Sequence, residues 1–222
     1  MRSLVVKKLY VLMWRVGLMM MVAVVWAAEA RAQDVASYDS LDEAIESEIE
    51  GIDFSDMSDI GDCAIMGETA VEAEVLTAFV VRHNPGFDPE IARQYVEVGR
   101  RYGIRGDIAF CQAILETGWF RFEGLTAVDR EQHNYCGLGV VRRGLTGASF
   151  ETVAEGVTAH IQHLYAYATD SPLPEGEELV DPRFAAVRRA SATTWFGLSN
   201  RWAMNPQYGE RIMKIYSGLI GD

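Results

Sequence analysis

Apolar residues recur at helical spacing along most of the chain beyond residue 70, and the places where the rhythm fails mark the turns. After Glu68-Thr69, the residues Val71, Val75, Leu76, Phe79 and Val80 share one helical face, and His83-Asn84-Pro85-Gly86 stops that helix. Asp88 caps a second helix, with Ile91, Tyr95, Val98 and Tyr102 on one face and Gly103 at its end. Asp107 opens a third, whose body from Ile108 to Glu116 is apolar nearly all round, the pattern of a helix buried in the middle of a domain. Residues 119–148 change character. Their many glycines, the run Asn134-Tyr135-Cys136-Gly137-Leu138-Gly139 and the turn-prone Arg142-Arg143-Gly144 predict a loop and a short irregular β-hairpin. Helical spacing returns at Phe150, Val153, Val157, Ile161, Leu164 and Tyr167, until Pro172 and Pro174 break it. Asp181-Pro182 predicts a short helix through Val187, and a last helix runs from Pro206 through Tyr208, Ile212 and Ile215 to Leu219. The expected fold class is α+β, predominantly helical, with one small β-hairpin lobe.

The region before this domain is of another kind. Arg2, Lys7, Lys8 and Arg15 precede an apolar run over residues 16–28, and Ala30-Arg31-Ala32 supplies a small-x-small cleavage site, the order of a secretory signal. The run is shorter than the roughly 20 residues that cross a bilayer comfortably, although adding residues 9–14 would lengthen it into an uncleaved anchor. Residues 1–32 are therefore read as a signal peptide or N-terminal membrane anchor, and the protein is expected to be secreted or held in the cell envelope. This segment holds five basic residues and one acidic residue, so its removal takes the net charge from −12 to −16. Nucleic acid is an unsuitable partner for such a chain. Eleven acidic residues and no Lys or Arg fall between Asp34 and Asp62. Such a stretch cannot bury enough apolar surface to offset its ordering entropy, so residues 33–62 read as a flexible acidic leader to a single domain over residues 63–222.

Cys63, Cys111 and Cys136 are an odd set without C-x-x-C spacing, and small buried or unpaired thiols are the expectation. His160 and His163 lie three apart on one helix but lack a carboxylate at ligand spacing, so no metal site is expected. Arg105-Gly106-Asp107 spells an adhesion tripeptide, yet is better explained as the turn and N-cap of the buried helix.

The sharpest chemical feature is Leu115-Glu116-Thr117-Gly118-Trp119, where a carboxyl group ends an apolar helix. Desolvation there disfavours the charged form, which is how a glycosidase acid is kept protonated for donation to a leaving oxygen. Gly106-Asp107-Ile108-Ala109-Phe110-Cys111-Gln112-Ala113-Ile114-Leu115-Glu116-Thr117-Gly118-Trp119 closely resembles the signature of the glucosaminidase family, family 73 of the glycoside hydrolases. Asn134-Tyr135-Cys136-Gly137-Leu138-Gly139, Phe150, Trp202-Ala203 and Asn205-Pro206-Gln207-Tyr208-Gly209 follow in the family order, so the resemblance spans residues 65–220.

That resemblance implies a lysozyme-like fold and hydrolysis of the N-acetylglucosaminyl-β-1,4-N-acetylmuramyl bond of peptidoglycan, by a monomer, without nucleotide, metal or organic cofactor. It implies that Glu116 is the general acid, that Tyr208 faces it, and that the segment from Asn134 through Tyr135 to Gly137 enters a β lobe walling the glycan groove. Trp119 and Tyr135 are the aromatic residues expected to meet sugar, while Trp195 and Trp202 are expected to pack. Many relatives carry a second acid in the hairpin, but residues 137–149 contain no Asp or Glu. By position the substitutes are Glu151, then Asp129 and Glu131, then Glu123. The alternative is chemistry with one carboxylate, in which the 2-acetamido oxygen of the substrate attacks the anomeric carbon. Muramidase or lytic transglycosylase action on the same polymer, and a non-catalytic peptidoglycan-binding module, are the competing functions, because function resides in the site and not in the fold.

Overall fold

The computed structural model describes residues 63–123, 128–140 and 147–221. The signal-like segment and the acidic leader lie outside the described residues, as does the 141–146 tip of the expected hairpin. Five α-helices are described: α1 (Ala73–Val81), α2 (Pro89–Tyr102), α3 (Gly106–Thr117), α4 (Val153–Ala168) and α5 (Tyr208–Gly221). No described helix is long and apolar enough to cross a membrane.

The arrangement follows from the apolar faces. Helix α3 is apolar all round and occupies the centre: every residue of it but Glu116 is buried. Helix α2 packs against α1, α3 and α4, and α5 packs against α3, so the middle helix is wrapped. Helix α2 is the amphipathic partner, with Ile91, Tyr95, Val98 and Tyr102 buried and an arginine-rich outer side. Its ends match the sequence signals. Asp88 accepts a hydrogen bond from the Glu90 N–H at 3.0 Å, Pro89 fills the first turn, and Gly103 closes the helix in the left-handed conformation. The α2–α3 crossing is close enough that a Cβ on Gly106 would sit 2.1 Å from the Tyr95 carbonyl oxygen. Any side chain there would push apart the two helices that carry Tyr95 and Gln112.

At the start of α3 the N-cap position belongs to Arg105, not Asp107. Asp107 lies inside the first turn, its fully buried carboxylate accepting from the Ala70 N–H at 3.1 Å and from Arg105 Nε and Nη2 at 3.0 and 2.9 Å. The tripeptide is thus an internal ion pair, with the negative charge at the helix end that favours it.

Two expectations need correction. The small β lobe has no strand among the described residues, only isolated bridges elsewhere. A backbone bond from Ala148 to Leu138 at 2.7 Å and two hydrogen bonds from Asn134 Nδ2, to the Leu138 and Ala148 carbonyls, do the work of a ladder. Gly137 and Gly139 take positive φ, which curls the segment where a strand would run straight. The helix expected from Asp181 to Val187 is a single 3-10 turn over Phe184–Ala186. Cys111 and Cys136 are free thiols and buried, and Cys63 is half-buried.

Candidate active site

Helix α3 ends at Gly118, whose left-handed conformation (φ 57°) is followed by positive φ at Trp119 and Phe120. Non-glycine residues in this region cost of order 1–3 kcal/mol each unless their surroundings hold them. Here the surroundings do. Thr117 Oγ1 donates to the Ala113 carbonyl at 2.6 Å and accepts from the Phe120 N–H at 3.0 Å. From the end of α1, Asn84 Nδ2 donates to the Trp119 and Phe120 carbonyls at 3.1 and 3.2 Å, and the Arg121 guanidinium returns to the His83 carbonyl at 3.1 Å. The turn that leaves Glu116 half-buried at the edge of the core is therefore fastened on both sides.

The Glu116 carboxyl meets the first residue of α5. The Tyr208 hydroxyl donates to Glu116 Oε1, and in turn accepts from Gln112 Nε2 at 2.8 Å. Gln112 lies one helical turn before Glu116, which puts both on one face of α3. Behind it, Gln112 Oε1 is 3.1 Å from His160 Nε2, and His160 Nδ1 is 2.7 Å from the Tyr95 hydroxyl. Gln112, His160 and Tyr95 are completely buried and Tyr208 nearly so. Burial pushes the Tyr208 phenol well above its ordinary pKa, and the neighbouring Glu116 carboxylate pushes it further, so it stays a proton donor. Burial also holds His160 neutral, with its pKa down at about 3. The Cys136 thiol is raised by burial and then by the nearby Glu116. A carboxyl at the surface of an apolar helix, gripped by a phenol from another element, can give a proton to a bound oxygen and take one back.

Other expected site residues have different work. Trp119 is 1% exposed, its ring stacked on His83 at 3.6 Å and packed against Phe79 at 5.4 Å. Tyr135 is 2% exposed and packs among Tyr95, Phe120 and Phe122. Neither ring has a face open for a sugar, which corrects the stacking role expected of them. Asn134 is fully buried, and its Oδ1 accepts from the Leu138 N–H at 2.9 Å while its Nδ2 makes the two bonds described above. Its side chain ties the loop together instead of facing solvent. Gly137 is half-buried with φ 68°, and a Cβ there would meet nothing within 4 Å. Glu151 is exposed just before α4, where its N–H donates to Glu155 Oε2 at 2.8 Å. Asp129 and Glu131 are exposed around the 3-10 turn Arg130–Gln132, and Glu123 is exposed as well. No group of three or more His, Cys, Asp or Glu able to hold a metal occurs among the described residues.

Tyr95, Gln112 and His160 were not singled out as site residues from the sequence. The available signal was Gln112 itself, a polar residue one turn before Glu116 in a helix with no polar face.

Residues 92–220 match the glucosaminidase family, described as mannosyl-glycoprotein endo-beta-N-acetylglucosaminidase. An uncharacterized protein of Borreliella burgdorferi is 36% identical over 153 residues, covering 67% of this chain and 73% of the relative. No solved structure matches the chain.

Proposed function

Because the chain belongs to the glucosaminidase family, we propose that it is a peptidoglycan hydrolase that cleaves the N-acetylglucosaminyl-β-1,4-N-acetylmuramyl bond with Glu116 as its general acid. The observation that carries this reading is the hydrogen bond from Tyr208 to Glu116, which joins the end of α3 to the start of α5 at the one residue of α3 that is not buried. In the proposed reaction Glu116 gives its proton to the glycosidic oxygen as the bond from that oxygen to the anomeric carbon breaks. The 2-acetamido oxygen of the same N-acetylglucosamine bonds to the anomeric carbon, closing an oxazolinium ring. Water then attacks that carbon, the ring reopens, and Glu116 takes the proton that the water loses. Support for this one-carboxylate route comes from the loop acids: Glu123, Asp129, Glu131 and Glu151 are all exposed. Tyr208 holds the Glu116 carboxyl in place by its hydrogen bond to Oε1. The N-terminal signal-like segment supports export to the compartment where peptidoglycan lies.

Digestion of purified peptidoglycan by the full chain, with the new reducing ends reduced and identified by mass, tests the reading. Reduced N-acetylglucosamine is the expected end. Muramic acid or its anhydro form would reassign the bond to muramidase or lytic transglycosylase action, and binding without release of any product would point to a wall-binding module.

A further inference from the structure

The hydrogen bonds behind Glu116 have a direction, and it can be deduced one step at a time from the far end. Tyr95 is fully buried on α2, its ring against Phe110, Tyr135 and His160. A buried phenol must place its proton on an acceptor, and His160 Nδ1 stands 2.7 Å away. Buried His160 is neutral, so it has one N–H and one acceptor nitrogen. With Nδ1 accepting, the proton resides on Nε2, which must donate to Gln112 Oε1 at 3.1 Å. That contact turns the Gln112 amide so that its NH2 faces Tyr208, donating at 2.8 Å. The Tyr208 oxygen then accepts, and its own proton goes to Glu116 Oε1.

We propose that Tyr95, His160 and Gln112 are positioning residues, whose hydrogen bonds run in one direction and lock the Tyr208 hydroxyl as a donor to Glu116 Oε1, fixing the orientation of the carboxyl group that gives its proton to substrate. This rests on the reading of Glu116 as the acid and deepens it. The lock needs a single tautomer of His160, and the groups around that ring favour one. Tyr95 approaches from α2, Gln112 from α3, and His163 from α4 itself, while the Trp202 ring covers it at 5.5 Å. Near the other end, Cys136 and Glu116 are the titratable groups facing Tyr208. A chain of neutral, fully buried groups fixes the orientation of the carboxyl group, and pre-organised geometry of this kind is what general acid catalysis requires.

The test combines a spectroscopic readout with kinetics on the full chain. In the 15N-labelled protein at neutral pH, His160 should show a protonated Nε2 and an unprotonated Nδ1, its signals identified by their loss in His160→Gln. A protonated Nδ1, or a ring protonated at both nitrogens, would overturn the proposal. Tyr95→Phe removes one oxygen without changing shape and should mix the two tautomers. In peptidoglycan digestion, His160→Met should lower kcat on the order of tenfold with KM unchanged, and His160→Gln, whose amide can donate from the Nε2 position, should recover most of the loss. Equal rates for the wild type and both variants, or equal losses in both, would reduce the chain to packing. Glu116→Gln is run alongside. If it retains activity, the acid assignment fails while the 15N spectrum still decides the tautomer; if it alone is inactive, the positioning claim fails by itself.

Discussion

Helix α3 carries two carboxyl groups nine positions apart that differ more in surroundings than in type: Asp107 in its first turn and Glu116 in its last. Asp107 is fully buried, bonded by the Arg105 guanidinium and the Ala70 N–H, at the helix end whose dipole welcomes an anion. Glu116 is half-buried at the end whose dipole opposes an anion, and the bond that reaches it from α5 comes from a neutral phenol. One carboxylate has its lone pairs committed to holding the fold. The other is the one that the proposed reaction uses. The two ends of one helix thus put one carboxyl group in a buried ion pair and the other against a phenol, and the difference can be measured.

The largest expected effect is on chemistry. Glu116→Gln should lower peptidoglycan hydrolysis by about 10²- to 10⁴-fold, with a melting temperature close to that of the wild type, checked by product release and by circular dichroism. Asp107→Asn should invert that pattern. Breaking a buried ion pair leaves Arg105 uncompensated, at a cost of about 3–5 kcal/mol in denaturant unfolding, while activity per folded molecule is retained. A smaller effect belongs to His160. Its pKa falls from the ordinary 6.5 to about 3 on folding, so between those values the unfolded chain binds a proton that the native chain does not. Its contribution to stability is complete above pH 6.5 and is lost as the pH falls toward 3, a few kcal/mol in all; unfolding of His160→Gln should show a flatter acid limb. The smallest effect concerns the exposed acids. Glu151→Gln and Asp129→Asn should each keep activity within about threefold, whereas a collapse of rate in folded Glu151→Gln would replace substrate assistance with a conventional base.

Helix positions were readable because their signals are local: Asp88 and Gly103 bound α2 as cap residues do, and the unbroken apolar run from Ile108 announced the central helix. The place of Glu116 at the end of that helix is legible for the same reason, as the ionisable residue that closes the run. The aromatic residues were not, because a ring that stacks on sugar and a ring that stacks on His83 look alike in sequence. Trp119 and Tyr135 went to the core. The relay behind Tyr208 was beyond reach for a different reason. Its links join residues 48, 65 and 96 positions apart, and only packing of α2, α4 and α5 around α3 brings them together. How the described part of the β lobe is held is not legible in the sequence: Gly137 and Gly139 adopt positive φ, and the Asn134 side chain donates to the Leu138 and Ala148 carbonyls.

The most direct measurement is the rate at which the full chain and its Glu116→Gln variant solubilise purified peptidoglycan, with thermal unfolding of both proteins recorded in the same buffer. The wild type should release muropeptides, and a Glu116→Gln protein that melts at the same temperature should release none above background. Equal release by the two would contradict this, and the general acid would have to be sought elsewhere.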